Sequence, residues 1–164
     1  MRVLDYAKLY LEEGLSIIPL RYGDKAPAVG SWKKYQSKRP SLGEVEEWFS
    51  RPANIAIVTG RISGNLIVVD FDKRDFFHKW REELPENLGK ALKWTWIVET
   101  GKGFHVYLRL SDSSLVPRTR PRLSESVDLK AEGSYVVAPP SLHPSGKSYR
   151  FLQGPPLHSI YVLG

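Results

Sequence analysis

The chain has 164 residues, carries 24 Lys and Arg against 18 Asp and Glu for a formal charge of +6, and contains no cysteine. Without cysteine there are no disulfides, no cysteine zinc fingers and no thiol chemistry. A hydrophobic content of 41% suits one folded domain spanning 1–164, the excess of base favours polyanionic partners, and no apolar run is long enough for a membrane span.

The N-terminus is amphipathic rather than signal-like, so the cytoplasm is the expected location. Leu4, Ala7 and Leu11 recur at helical spacing, Val3 and Tyr10 widen that face, and Gly14 is placed to end the helix. LSIIPL (15–20) reads as a short buried strand. A long loop follows over 21–40, with Lys25, Pro27, Trp32 and Tyr35 in it. Ser41 and Glu44 form a capping-box pattern ahead of Val45, Trp48 and Phe49, which predicts a second helix. NIAIVTG (54–60) and NLIVVDFD (65–72) are β-rich runs that the turn-like RISG would join as a hairpin. Asp75 is placed to cap a helix through FFHKWREEL, stopped by Pro85. WTWIVET (94–100) and FHVYLRL (104–110) read as strands around GKG, and VDLKA, SYVVAP and KSYRF complete the sheet. The expected class is α+β, with short and mainly antiparallel strands.

Three strand ends carry the candidate chemistry. In LIVVDFDKRD, alternate side chains of an extended chain point the same way, so Asp70 and Asp72 share one face and Phe71 takes the other. Two carboxylates that close repel unless a cation lies between them. In TGKGFH, a tight glycine turn can aim N–H groups at a phosphate, with Lys102 and His105 as further donors. In VDLKAEG, Asp128 and Lys130 lie on one face of a third strand. Each has a plainer alternative: a solvated strand end, a hairpin loop, a half-buried histidine satisfied within the sheet, a surface aspartate. Together, three carboxylates on adjacent strands can hold two divalent ions about 3.5–4 Å apart, with Lys and His facing a triphosphate. The stretches RYGDKAP, SWKKYQSKRP and VPRTRPRL are basic, and the first two also hold aromatics, which suits single-stranded nucleic acid.

With these motifs in order, the chain resembles the bifunctional DNA primase/polymerase (prim-pol) domain of the archaeo-eukaryotic primase superfamily, found in plasmid, phage and mobile-element replication proteins. The likeness runs through KAPAVGSW, EEWF, NIAIVTG, SGNLIVVDFD, ETGKGFHVYL and VDLKAEGSYVVAPPSLHPSGKSYRF. It implies a metal triad of Asp70, Asp72 and Asp128 holding two Mg²⁺ or Mn²⁺ ions. His105 is implied as the nucleotide-phosphate ligand, with Lys130 and Lys102 as further phosphate partners. Ser141 and His143 match the pattern without an assigned chemistry. The implied fold is an N-terminal α/β module joined to an RRM-like antiparallel sheet, with the active-site cleft between them.

The implied activity is a metal-dependent nucleotidyltransferase that extends, and is a candidate to initiate, strands on a single-stranded DNA template from NTP or dNTP. Trp32 and Tyr35 are candidates to stack on that template. Longer relatives continue into a helical bundle and a helicase, which makes such a region, in a longer chain or a separate protein, a candidate partner. Lys102 replaces the first glycine of the family's G-G-x-H stretch, and no G-x-x-x-x-G-K-[ST] element is present. The main alternative is a non-catalytic RRM-like nucleic-acid-binding module, with Phe71, Phe104 and Tyr107 as its aromatic platform. A haloacid-dehalogenase-type phosphatase also begins with an apolar strand and D-x-D, but Arg74 stands where that class usually has Thr or Val.

Overall fold

The computed structural model describes residues 2–164. Helix α1 (Val3–Glu12) starts where the Asp5 carboxylate accepts the Arg2 N–H at 2.9 Å, and it ends at Gly14, whose φ of +79° is left-handed. Strand β1 (Ser16–Leu20) is buried along its length. Helix α2 (Leu42–Trp48) has the expected capping box: Glu44 N–H donates to Ser41 Oγ at 3.1 Å and Ser41 N–H to Glu44 Oε1 at 3.0 Å. Then come β2 (Asn54–Val58), β3 (Leu66–Phe71), α3 (Arg74–Glu83) and α4 (Glu86–Leu92). The remaining strands are β4 (Ile97–Glu99), β5 (Phe104–Leu110), β6 (Arg120–Ser124), β7 (Val127–Lys130), β8 (Tyr135–Ala138), β9 (Arg150–Gln153) and β10 (Tyr161–Leu163). Among the described residues, no helix is long and apolar enough to cross a membrane.

The class is α+β, as expected, but the strands divide between two sheets. Among the described residues one sheet has the order β1-β2-β8, and the other β6-β7-β3-β5-β4-β9 with β10 also on β5. The named pairings are antiparallel except β10 with β5. The hairpin expected between β2 and β3 is not formed. Strand β2 is buried at all five positions and already has β1 and β8 on its two edges, so β3 has no edge to join. The chain leaves β2 through Gly60, at φ +97°, and enters the other sheet. A Cβ there would collide with Glu132, so the position has room only for glycine.

Asp75 does not cap α3. Lys73 occupies the cap, and Asp75 sits inside the first turn, where its charge still complements the helix N-terminus. Pro85 ends α3 and also caps α4, a short helix that the periodicity did not announce. The Arg-rich stretch expected as a loop contains edge strand β6, every residue of which is exposed.

Alternation along β3 and β5 builds two cores. Leu66 and Val68 of β3 and Tyr107 of β5 face β1, β2 and β8, together with Tyr10, Val45 and Trp96. The opposite face, with Ile67, Phe71, Phe104 and Val106, packs against Phe77 of α3 and Leu92 of α4. Each buried aromatic or aliphatic side chain contributes about 1.5–3 kcal/mol. Asp70 and His105 therefore continue rows whose earlier members lie in the core between the sheets, and both sit where that core opens.

Candidate active site

Asp128, Asp70 and His105 stand side by side across three neighbouring strands. Asp70 is the register partner of Asp128 on β7 and of His105 on β5. Asp70 Oδ1 is 3.3 Å from His105 Nε2. Asp128 Oδ1 accepts the Arg122 N–H at 2.7 Å, and Asp128 Oδ2 is 3.8 Å from Lys130 Nζ. Arg122 reaches that position in a left-handed backbone conformation, φ +54°, at the irregularity where β6 slips register against β7. Asp72 lies just past the end of β3, exposed, with its N–H on the Ser126 carbonyl at 2.9 Å.

The carboxylates feel one another. Burial opposes ionisation of Asp70, but His105, and then Lys130 and Lys25, hold its carboxyl below the ordinary value. Asp72 is pushed the other way, first by burial and then by the charges of Asp70 and Asp128, with Lys102 and Lys25 offsetting part of the rise. Among the described residues, no three His, Asp or Glu side chains are gathered tightly enough to grip a metal ion as they stand. The donor set nevertheless fits a hard divalent cation: carboxylate oxygens on and just past adjoining strands, one of them held less acidic by burial and then by its neighbours' charge.

Two adjoining hollows open at this row and share Lys25, Asp70, His105 and Tyr149. The first, about 310 Å³, takes one wall from Tyr135–Val137 of β8 and another from Lys130, with Trp32 at its side. The second, about 400 Å³, is lined by Asp72, Lys73, Thr100, Lys102 and His143. All six expected site residues are thus brought to one place: Asp70, Asp72, Asp128 and His105 around the row, Lys130 and Lys102 on opposite hollows.

The GKG turn works differently from a phosphate-binding loop. Gly103 and Lys102 N–H groups both donate to Thr100 Oγ1, at 2.9 and 3.3 Å, so they are not free for a ligand. Its glycines serve close approach: a Cβ on Gly103 would overlap the Phe71 carbonyl, and one on Gly101 the His143 ring. Only the Lys102 side chain faces the hollow. His105 is buried, and its Nδ1 has no hydrogen-bond partner.

Several neighbours were not assigned a role from sequence. Tyr149 lies between the rings of His105 and His143, at 6.2 and 5.6 Å, and burial followed by the Asp70 charge pushes its hydroxyl up to about 12. His143 is held below its ordinary value by burial and then by Lys25, Lys102 and Lys147. Ser141 has a structural task, accepting the Ile55 N–H at 2.9 Å and donating to the Ile55 carbonyl at 3.1 Å. Their shared signal was the dense PPSLHPSGKSY segment, legible as a motif but silent on chemistry.

Two expectations about aromatics change. Tyr35 is buried and its hydroxyl donates to Glu44 Oε2 at 2.5 Å, so it is a core residue rather than a stacking platform. Trp32 is half-buried, edge-on to Tyr135 at 5.1 Å, and borders the first hollow. Phe71, Phe104 and Tyr107 are all buried, which removes the platform that a plain RRM-like binder requires. Arg74 opens α3 and pairs with Glu99 at 2.8 Å, away from any phosphatase-like role.

An α+β sheet bearing a carboxylate row beside a lysine-lined hollow is a site suited to phosphate-bearing ligands. The chain belongs to the Prim-Pol family, the bifunctional DNA primase/polymerase N-terminal domain, whose model matches residues 7–160. Membership implies an enzyme of the nucleotidyltransferase type, a DNA primase/polymerase, in a family that typically uses divalent metals and handles DNA and nucleotides. No curated protein matches the chain.

Proposed function

We propose that residues 1–164 form one catalytic domain, a metal-dependent, template-directed nucleotidyltransferase that extends strands on single-stranded DNA and is a candidate to initiate them. The observation that carries this reading is the Asp128–Asp70–His105 row at the mouth of the core between the sheets, in a chain of the Prim-Pol family. In this reading the three-stranded sheet with α1 and α2 is the N-terminal α/β module. The seven-stranded sheet with α3 and α4 is the RRM-like half, and the shared hollows are the active-site cleft.

Asp70, Asp72 and Asp128 would hold two Mg²⁺ or Mn²⁺ ions. Such ions, when bound, lower the pKa of an attacking 3′-hydroxyl and offset charge on the α-phosphate. The chain's own residues do the positioning. Asp70 Oδ1, 3.3 Å from His105 Nε2, orients the ring where it borders both hollows, and there His105 would meet the nucleotide phosphates. Lys130 and Lys102 approach from opposite sides and neutralise the triphosphate. Exposed Lys33, Lys34, Lys38 and Arg39, together with exposed Arg118, Arg120 and Arg122, would follow the template backbone.

Primer extension on single-stranded template with Mg²⁺ or Mn²⁺ tests the reading. Incorporation that requires the ion, the template and Asp70 is expected; metal-bearing protein that binds DNA but adds no nucleotide would overturn it.

A further inference from the structure

Lys25 belongs by sequence to the basic loop 21–27, whose charge reads as template-binding surface. The structure divides that loop. Arg21 and Tyr22 line a separate hollow with Glu47, Trp48 and Arg51, whereas Lys25 borders both hollows beside Asp70 and His105. The backbone that presents Lys25 is pinned from two sides. The Tyr135 hydroxyl donates to the Lys25 carbonyl at 2.7 Å, and buried Asn54 donates from Nδ2 to the Asp24 carbonyl at 3.0 Å. Asn54 also holds the segment leading to His143: its Nδ2 donates to the Leu142 carbonyl at 2.9 Å and its Oδ1 accepts the Leu142 N–H at 3.0 Å. One buried amide therefore sets the spacing between the loops that deliver Lys25 and His143.

We propose that Lys25 binds the triphosphate of the incoming nucleotide, as a cation shared between the two hollows, and takes no part in holding the template. This rests on the nucleotidyltransferase reading of the same site. Lys25, Lys73 and Lys102 line a space of about 400 Å³ together with Asp70, Asp72 and His143. Three ammonium groups converging beside the carboxylates on so small a volume match a compact polyanion that brings its own divalent ion, whereas a single-stranded backbone spreads its charge along an extended path. The Lys25 charge is felt by Asp70, Asp72 and His143, as expected for an ammonium at the centre of the group. Lys25 is exposed and its hydrogen bonds are made by its backbone, so changing the side chain leaves the loop's anchors in place.

The test compares wild type, Lys25→Gln and Lys25→Arg in three titrations: a nucleoside triphosphate with Mg²⁺, inorganic tripolyphosphate, and single-stranded DNA. Lys25→Gln should weaken both triphosphate ligands by about tenfold or more, as expected for loss of a charge-assisted contact, with DNA affinity changed by less than about twofold. Lys25→Arg should recover most of the loss because the charge is kept. Unchanged tripolyphosphate binding in Lys25→Gln, or an equal fall in DNA affinity, overturns the assignment while leaving strand extension by the wild type intact. Lys25-dependent triphosphate binding by a protein that extends no primer upholds the assignment and overturns the proposed activity instead.

Discussion

Asp70 faces Asp128 directly across the β3–β7 ladder, a pairing of like charges that a sheet ordinarily disfavours. The cost is moderated on each side: Asp70 by His105 and Asp128 by the Arg122 N–H and Lys130. Asp72 lies next to them without a comparable partner, and its carboxyl is the one pushed up. Charge is thus concentrated beyond what folding needs.

Asp70 and Asp72 should respond to neutralisation with opposite sign. Asp70 is held below its ordinary value, so its ionised form contributes stability above the unfolded pKa, and this is lost as pH falls through the lower folded pKa. Asp72 is raised, so folding favours its protonated form, and that contribution is lost as pH rises through its folded pKa. At neutral pH without divalent ions, Asp70→Asn should lower the melting temperature and Asp72→Asn should raise it. Thermal melts on both variants check this; a fall in both would show that the two carboxylates share one environment.

Divalent ions should raise the wild-type melting temperature, since a ligand bound only by the folded state stabilises it by about 2.7 kcal/mol at a hundred times its dissociation constant. The rise should shrink in Asp70→Ala, Asp72→Ala and Asp128→Ala alike. Each of these should also lose strand extension by about a hundredfold or more while retaining its circular dichroism. A folded variant with near-wild-type extension removes that residue from the site.

His105→Ala should raise the nucleotide KM by about ten- to hundredfold with little change in DNA affinity. His105 reaches the hollows from a buried position on β5, next to Asp70, and is not part of the exposed basic surface at 33–39 and on β6. Steady-state kinetics alongside DNA titration measure both; equal losses would assign His105 to the template.

Asn54→Ala should cost about 3 kcal/mol, since three hydrogen bonds are lost and the groups at Asp24 and Leu142 lose their partner. Denaturant unfolding reads the loss. The same variant should raise the nucleotide KM more than it lowers kcat, because the chemistry-bearing carboxylates lie on other strands.

DNA affinity should fall with salt, with a log–log slope of about 0.7 per neutralised phosphate. Exposed bases at 33–39 and on β6 carry this expectation. A flat titration would assign them to ordinary solvated surface.

Much of this protein follows from local pattern alone. The apolar spacing of α1 and the Ser41–Glu44 box are satisfied within a few residues, so neighbouring sequence decides them. Alternation along LIVVDFD likewise sorts Asp70 and Phe71 to opposite faces whatever the strand pairs with, and the ordered D-x-D, G-x-H and D-x-K motifs mark the family. Tertiary structure decided what alternation cannot: which strand lies next to which. A period of two assigns faces but no partners, so the placing of β2 with β8 and β3 with β7 required long-range pairing, and with it came the Asp70–Asp128 contact. The loops show the same limit more sharply. Tyr35 and Lys25 stand in basic stretches with no period to read, and only the packed molecule buries the first and carries the second to the carboxylates, because their positions are set by anchors more than a hundred residues away in the chain or by a core that many segments share.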